Sequence, residues 1–477
     1  MLGVVLAVTV PSAASATTVT PINDSVVDRV GKVVALDPSG SQIAFSATSV
    51  DGGYLGDSLW VADGDGSNMR RIGGSDAGIY SLTASGDDQW LAYQAPGFIT
   101  EQGVPVDSAR IGIVNVATGV LTHISFRRSD QVNAITAGPS SFYATRERGV
   151  AYRLDPAAGT AEPVRLVGAG ASTPANAQMW MTSEDREKVG FCSGGNVKKA
   201  RRTLGILDPV ADVVRTTSAS LRGVGSCQVS DDGSSVATVG VRGKRAQLLV
   251  LRNGKRSMIP IGAKMRMVVA LSPSGRYAVV RSGNPVEVPS SGRAALVDIK
   301  RRRLIPLRGV DGLTAYSSAP DTVSAVAAWS HDERKVVLVA SSWRGRGRPG
   351  SFAAARLVTV STRSGAAHAL ARLTAPRGMP FDGTPVPQSF TDDGRGVGVT
   401  VSTSSQITDA VPYRVPLNGH RAELLFTSSV RSFGVLTRSP DKSRAWIAAG
   451  WTCHSSYRYP LMSIAGQDPW GSPWHVG

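Results

Sequence analysis

Eight times along this 477-residue chain a tight polar turn is followed, within a few residues, by a short β-branched or apolar run. The clearest copy runs Asp37-Pro38-Ser39-Gly40, Ile43-Ala44-Phe45, Leu59-Trp60-Val61-Ala62, and then the polar string 63–68, Asp-Gly-Asp-Gly-Ser-Asn. Pro presets φ, Gly tolerates positive φ, and Asp or Ser bonds back to the nearby backbone, so each polar cluster reads as a turn and each flanking run as a strand. Further copies begin at Asp231-Asp232-Gly233, Ser272-Pro273-Ser274-Gly275 and Asp392-Asp393-Gly394. Weaker ones sit at Gly86-Asp87-Asp88, Ser183 to Arg186, Ser330-His331-Asp332-Glu333 and Ser439-Pro440-Asp441-Lys442, with a degenerate ninth at Gly138-Pro139-Ser140.

A second hairpin follows in most copies, as in Ala295 to Ile299 and Leu248 to Gly254. Two hairpins make one four-stranded antiparallel sheet, and a spacing of roughly 40 to 60 residues gives one sheet per repeat. A lone sheet cannot bury both of its faces. Radial stacking covers each face with a neighbour, so the expected fold is an all-β, single β-propeller of about eight four-stranded antiparallel blades, with seven to nine as the range. A pair of β-sandwiches is the competing architecture, but it has no need of the same turn phase in every copy. No stretch carries a sustained helical apolar period, so helix should be scarce.

The first copy closely resembles the WD40-like (PD40) repeat of the TolB-like propellers, whose usual form is a Ser-Pro-Asp-Gly turn, an apolar strand and an Asp-x-Asp-Gly-Ser hairpin. That resemblance covers nearly the whole mature chain and implies an extracytoplasmic propeller used for protein contacts. Its repeats also serve peptidases, sugar lyases and sensors, so it speaks to fold more than to task.

The N-terminus points to export. Leu2 to Val10 is an apolar run of signal-peptide length, and Ala14-Ser15-Ala16 is a small-residue cleavage site, giving a signal peptide over 1–16, although no basic residue precedes the run. The propeller is then expected over 24–465, with a Pro/Gly/Trp-rich tail over 466–477 lying across one face. No later stretch reaches the roughly 20 apolar residues that cross a bilayer as a helix. Cys192 and Cys227 fall on strands of successive blades and form a candidate disulfide, which suits a secreted or periplasmic chain; Cys453 is left over.

Net charge is +16, and its linear clusters are Lys198, Lys199, Arg201 and Arg202; Lys300, Arg301, Arg302 and Arg303; and Arg344, Arg346 and Arg348. All three are expected in turns or loops and form the candidate binding rim, facing an envelope or extracellular protein or an anionic wall polymer. They lack interleaved aromatics for base stacking, so nucleic acid is not the expected partner. A solvated loop surface remains the plainer alternative.

Chemical motifs are scarce. The chain has no Gly-x-Ser-x-Gly elbow, phosphate-binding loop, His-Glu-x-x-His helix or Cys-x-x-Cys pair, so no catalytic residue, metal ligand or cofactor is assigned. The 63–68 string opens as a calcium loop does but lacks the distant bidentate Glu, and a plain hairpin turn is expected. Asp recurs at the turns, where backbone capping explains it, and His331 stands where other copies have Pro. Trp446 and Trp451 are expected to close the last blade on the first, whereas Trp470 and Trp474 are open between closure and recognition. The resulting expectation is an exported, non-catalytic, monomeric propeller that binds through its loop faces. The alternatives are a lyase- or lactonase-like enzyme with a central-channel site, or a sensor ectodomain.

Overall fold

The computed structural model describes residues 17–22, 27–49, 57–75, 79, 81–95, 110–125, 132–146, 151–168, 178–183, 186–193, 202–208, 213–222, 227–282, 294–308, 327–341, 355–370, 373, 385–402, 410–425, 432–439, 441, 444–453, 456–458, 461–465 and 474–476. Among these residues every regular element is a strand. Eight sheets are sequential antiparallel meanders, and their first and last strands delimit the blades. Blade 1 runs from Val27–Ala35 to Arg70–Ser75, blade 2 from Ser81–Ala84 to Leu121–Ser125, and blade 3 from Val132–Ala137 to Thr160–Pro163. Blade 4 runs from Gln178–Thr182 to Val213–Ala219, blade 5 from Cys227–Val229 to Lys255–Pro260, and blade 6 from Met265–Leu271 to Arg303–Pro306. Blade 7 runs from Ala327–Trp329 to Ala367–Ala369 and blade 8 from Pro385–Phe390 to Glu423–Leu424. Strands within a blade are called A to D from first to last.

The apolar residues explain why the sheets stack radially. Strand side chains alternate between faces, and consecutive residues accordingly enter different clusters. In blade 5, Val236 packs with Cys192 and Leu204 of blade 4, whereas Ala237 packs with Val268 and Val280 of blade 6. In blade 6, Val279 and Leu296 turn the other way, toward Val336 and Val358 of blade 7. Each described cluster thus lies between two neighbouring sheets, as a propeller requires. The degenerate copy at Gly138-Pro139-Ser140 makes a full blade, with Phe142 and Ala144 packed against Ile111 and Ile113 of blade 2.

A ninth sheet closes the ring and draws on both ends of the chain. Its strands are Ser432–Arg438, Arg444–Cys453, Leu461–Ala465, Thr17–Ile22 and Trp474–Val476, with Ser456–Arg458 paired to the second. Thr17–Ile22 runs antiparallel to Leu461–Ala465, with Val19 opposite Ile464, and Trp474–Val476 runs parallel to Thr17–Ile22. The propeller therefore extends past the 24–465 boundary at both ends, and the expected tail contains a strand. The reason is topological: ring closure pairs residues at opposite ends of the chain, which no local pattern reports. Trp446 seals the joint as expected. It is fully buried and donates from Nε1 to the Gly64 carbonyl at 2.8 Å, and a Cβ on Gly40 would sit 2.3 Å from its indole.

Cys192 of strand B in blade 4 and Cys227 of strand A in blade 5 are disulfide-bonded across a Cα separation of 6.5 Å. Chain segments between blades add edge pairing. Leu166–Gly168 lies parallel to the outer strand of blade 4, and Arg308 bridges in parallel to Ala366 beside the outer strand of blade 7. Each of these contacts covers backbone that would otherwise be an open sheet edge.

Candidate binding face

In an antiparallel meander the A–B and C–D turns lie at one end of the sheet and the B–C connection at the other. Hydrogen bonds between blades show that these ends share one face of the ring. Asp441 N–H donates to the Pro38 carbonyl, Asp87 to Pro139 and Asp232 to Pro273, so the third residue of one A–B turn bonds the second residue of the next. Arg252, in the C–D turn of blade 5, likewise reaches the Ser274 carbonyl of blade 6 at 3.3 Å. We call this side the turn face.

One local device builds the A–B turns. Ser85, Ser230, Ser330, Thr391 and Ser439 each donate a hydroxyl to the Asp two residues on, at 2.6–2.8 Å. Each also accepts the backbone N–H five residues on, at 2.8–3.1 Å. The recurring Asp residues are thereby committed to turn structure. Asp37 shows how strongly: burial pushes its carboxyl up, but hydrogen bonds from Ser39, Gln42 and Ser41 outweigh that and bring it down to about 2.

In seven of the eight blades the fourth turn residue is left-handed, and in four of these it is Gly: Gly40, Gly233, Gly275 and Gly394. Blades 2, 4 and 7 instead place Asp88, Arg186 and Glu333 there, at φ of 61°, 60° and 53°. A non-Gly residue in this region costs roughly 1–2 kcal/mol. In each case the side chain interacts with another blade. Glu333 accepts the Ser274 backbone N–H and hydroxyl at 2.6 and 2.8 Å, supplying to blade 6 the carboxylate that its own turn lacks. We expect Glu333→Ala to lower stability by about 1–3 kcal/mol, measured by urea unfolding. Ser274→Asp combined with Glu333→Gly should recover most of the loss, and failure to recover it would contradict the shared-carboxylate account.

Arg186 reaches from blade 4 to the Ala35 carbonyl of blade 1 at 2.6 Å, beside Asp88 of blade 2. Burial raises Asp88 to about 6; Arg186 opposes the shift, and Asp37 and Asp87 add to it. With the folded value above the unfolded one of 3.8, this carboxyl contributes stability that is fully present below pH 3.8 and is lost as pH rises through about 6. Asp88→Asn keeps a residue tolerant of left-handed φ. It should raise stability at pH 7.5 by up to about 1 kcal/mol after solvent screening and leave it unchanged at pH 3, below both values. Equal melting-temperature shifts at both pH values would contradict this assignment.

Of the three basic clusters, Lys300–Arg303 lies wholly among the described residues. Lys300, Arg301, Arg302 and Arg303 form the C–D turn of blade 6, on the turn face, and all four are exposed. Arg301 pairs with buried Asp298 at 3.9 Å, and Arg302 donates to the Met258 carbonyl of blade 5 at 3.0 Å, so the turn is pinned while its cations stay in solvent. Arg202 is not a rim residue. It lies on Arg202–Asp208, 2% exposed, and burial lowers its guanidinium to about 10, because the strand begins at the last residue of the basic run. Lys198, Lys199, Arg201, Arg344, Arg346 and Arg348 lie outside the described residues. The strands flanking those segments are B and C of blades 4 and 7, whose facing ends are at the opposite side from the turn face.

The 63–68 string is a hairpin turn whose carboxylates bond its own donors. Asp63 accepts from Ser67 and Asn68, and Asp65 accepts the Ser67 N–H at 2.9 Å. His331 is exposed in the A–B turn of blade 7. Trp451, Tyr457, Tyr459 and Trp470 fall where no side chain is described, as does the side chain of Trp474.

No protein-family model matches this chain, and no curated protein matches it. Among solved structures it is similar to a Dos1 propeller at 11% identity, covering 96% of this chain and 97% of that one with a TM-score of 0.42. An oligogalacturonate lyase in complex with manganese matches at 11% identity, with coverage of 92% and 98% and a TM-score of 0.40. Apo AztD from Citrobacter koseri matches at 10% identity, with coverage of 93% and 98% and a TM-score of 0.40. Likeness at this level transfers no activity, and the propeller assignment rests on the sheets and their packing.

Proposed function

We propose that this chain is an exported, non-catalytic propeller of the TolB-like kind that binds an envelope or extracellular partner through its turn face. The observation carrying this reading is the Lys300–Arg303 turn: four consecutive exposed cations held on a rigid frame by Asp298 and Met258. Cations fixed in place lose less freedom on binding than cations on a loose loop. The disulfide supports export, since such bonds persist in oxidising compartments, and so does the 1–16 segment with its small-residue site. The repeat grammar that resembles the TolB-like propellers points the same way.

The test is capture of envelope components by the immobilised mature chain, beside Lys300→Gln/Arg301→Gln/Arg303→Gln. Arg302 is spared because it anchors the turn. Capture should fall at least tenfold in the variant and in about 0.5 M salt, where the Debye length shrinks to about 4 Å. Capture unchanged in both arms would remove the turn face as the binding surface.

A further inference from the structure

The fold gathers cations that the linear sequence scatters. The residue after the fourth turn position is Arg in three successive blades: Arg276, Arg334 and Arg395. The C–D turns of those blades add Lys300–Arg303, Arg363 and Arg421. Every A–B and C–D turn of blades 6 to 8 thus holds at least one Lys or Arg. The same turns of blades 1 to 3, residues 37–41, 63–68, 85–89, 115–119, 138–141 and 155–159, hold none and carry six Asp. The turn face is therefore polarised, with a basic arc on one side and an acidic arc on the other.

The basic arc reaches outward. The Arg334 side chain is 85% exposed, and Arg363, Arg395 and Arg421 are exposed as well. The same turns also hold five carboxylates: Asp298 is 1% exposed, Glu333 accepts from Ser274, Asp332 and Asp393 accept from the turn hydroxyl, with Asp332 also 3.5 Å from Arg334, and Asp392 is exposed. The cations fall in two rows, A–B turns inside and C–D turns outside, and they recur blade by blade at roughly the 10 Å spacing of packed sheets. A tangential double row suits one extended chain with regularly repeated anions. Among the described residues the only exposed large apolar side chains are Val120 and Val167, so this arc has neither an apolar anchor for a folded protein nor a stacking platform for bases.

We propose that the arc over blades 6 to 8 binds a linear, base-free polyanion with phosphate groups in its backbone, recognised by charge and spacing alone. This rests on the turn-face reading above and gives its partner a chemical class. The probe is medium-chain inorganic polyphosphate, titrated into the mature chain over a range of salt. The variants are Arg334→Gln/Arg363→Gln/Arg395→Gln, all exposed, and Arg242→Gln/Lys244→Gln/Arg245→Gln. The latter removes the same charge from the exposed B–C turn of blade 5, on the opposite face.

Each engaged cation contributes about 0.7 to the slope of log affinity against log salt on a single-stranded polyanion. The arc variant should therefore lose about 2 from that slope and at least tenfold in affinity at low salt, with the opposite-face variant close to wild type. Equal losses in both variants would show bulk charge attraction and overturn the proposal. So would no binding of polyphosphate, tighter binding of polyglutamate or a single-stranded DNA homopolymer, or binding only to vesicles containing phosphatidylglycerol. Envelope capture that survives while polyphosphate fails would leave the turn-face reading standing and remove only the polymer.

Discussion

Trp446→Ala is expected to lower the unfolding free energy by about 3–5 kcal/mol, the range for emptying a large aromatic site. The indole is fully buried where the ninth sheet meets blade 1. It covers Gly40, whose positive φ lets the turn approach the ring, and it satisfies the Gly64 carbonyl. Removing it opens a cavity and orphans that acceptor at the one joint where sheets from opposite ends of the chain meet. Trp446→Phe keeps most of the apolar volume but cannot donate, so it should fall between, at about 1–2 kcal/mol. Urea unfolding with an unchanged slope is the measurement. A loss below about 1 kcal/mol for the alanine variant would mean that the ring is not sealed at this residue.

The second large effect is expected at Cys192 and Cys227. The bond closes a 35-residue separation, for which chain entropy alone predicts about 4 kcal/mol. Both cysteines sit in the apolar cluster between blades 4 and 5, so Cys192→Ala/Cys227→Ala keeps the cluster apolar and isolates the cross-link. The variant should lose about 3–4 kcal/mol, and reductant should lower the wild type toward it without affecting the variant. Peptide mapping under non-reducing conditions should find the two joined. Stability indifferent to reductant, with both thiols titratable in the secreted chain, would contradict the pairing.

What could be read from the chain alone was whatever repeats locally. The Ser, Pro, Asp and Gly of the A–B turns recur because each blade solves the same turn problem with the same few bonds, and that phase identifies the blades. Even the weak copies at Asp88, Arg186 and Glu333 obey it. They looked weak because they lack the Gly that a left-handed position favours, and the same departure puts a side chain where it meets another blade. Partners such as Ser274 and Ala35 are fixed by neighbours in space, so no local pattern names them. Ring closure was hidden for the same reason, since Thr17–Ile22 pairs with Leu461–Ala465. The basic face was legible only in part. Lys300–Arg303 stands out as a run, whereas Arg276, Arg334 and Arg395 are single residues that become neighbours only when blades are aligned by turn phase. Arg202 errs in the other direction, being adjacent in sequence to a basic run but carried inward by the strand it begins.

The assignment of faces depends on a closed ring with all its A–B and C–D turns on one side, and cross-strand cysteine trapping tests that closure most directly. Neighbouring antiparallel pairs alternate between wide and narrow Cα spacing, so one of Val19 with Ile464 and Thr20 with Ser463 is the narrow pair. In a Cys453→Ser background, Val19→Cys/Ile464→Cys and Thr20→Cys/Ser463→Cys should yield one spontaneous cross-link between them, in folded protein and in that register. If neither pair cross-links while the fold is intact, the N-terminal strand does not complete the ninth sheet, and the closed ring is wrong.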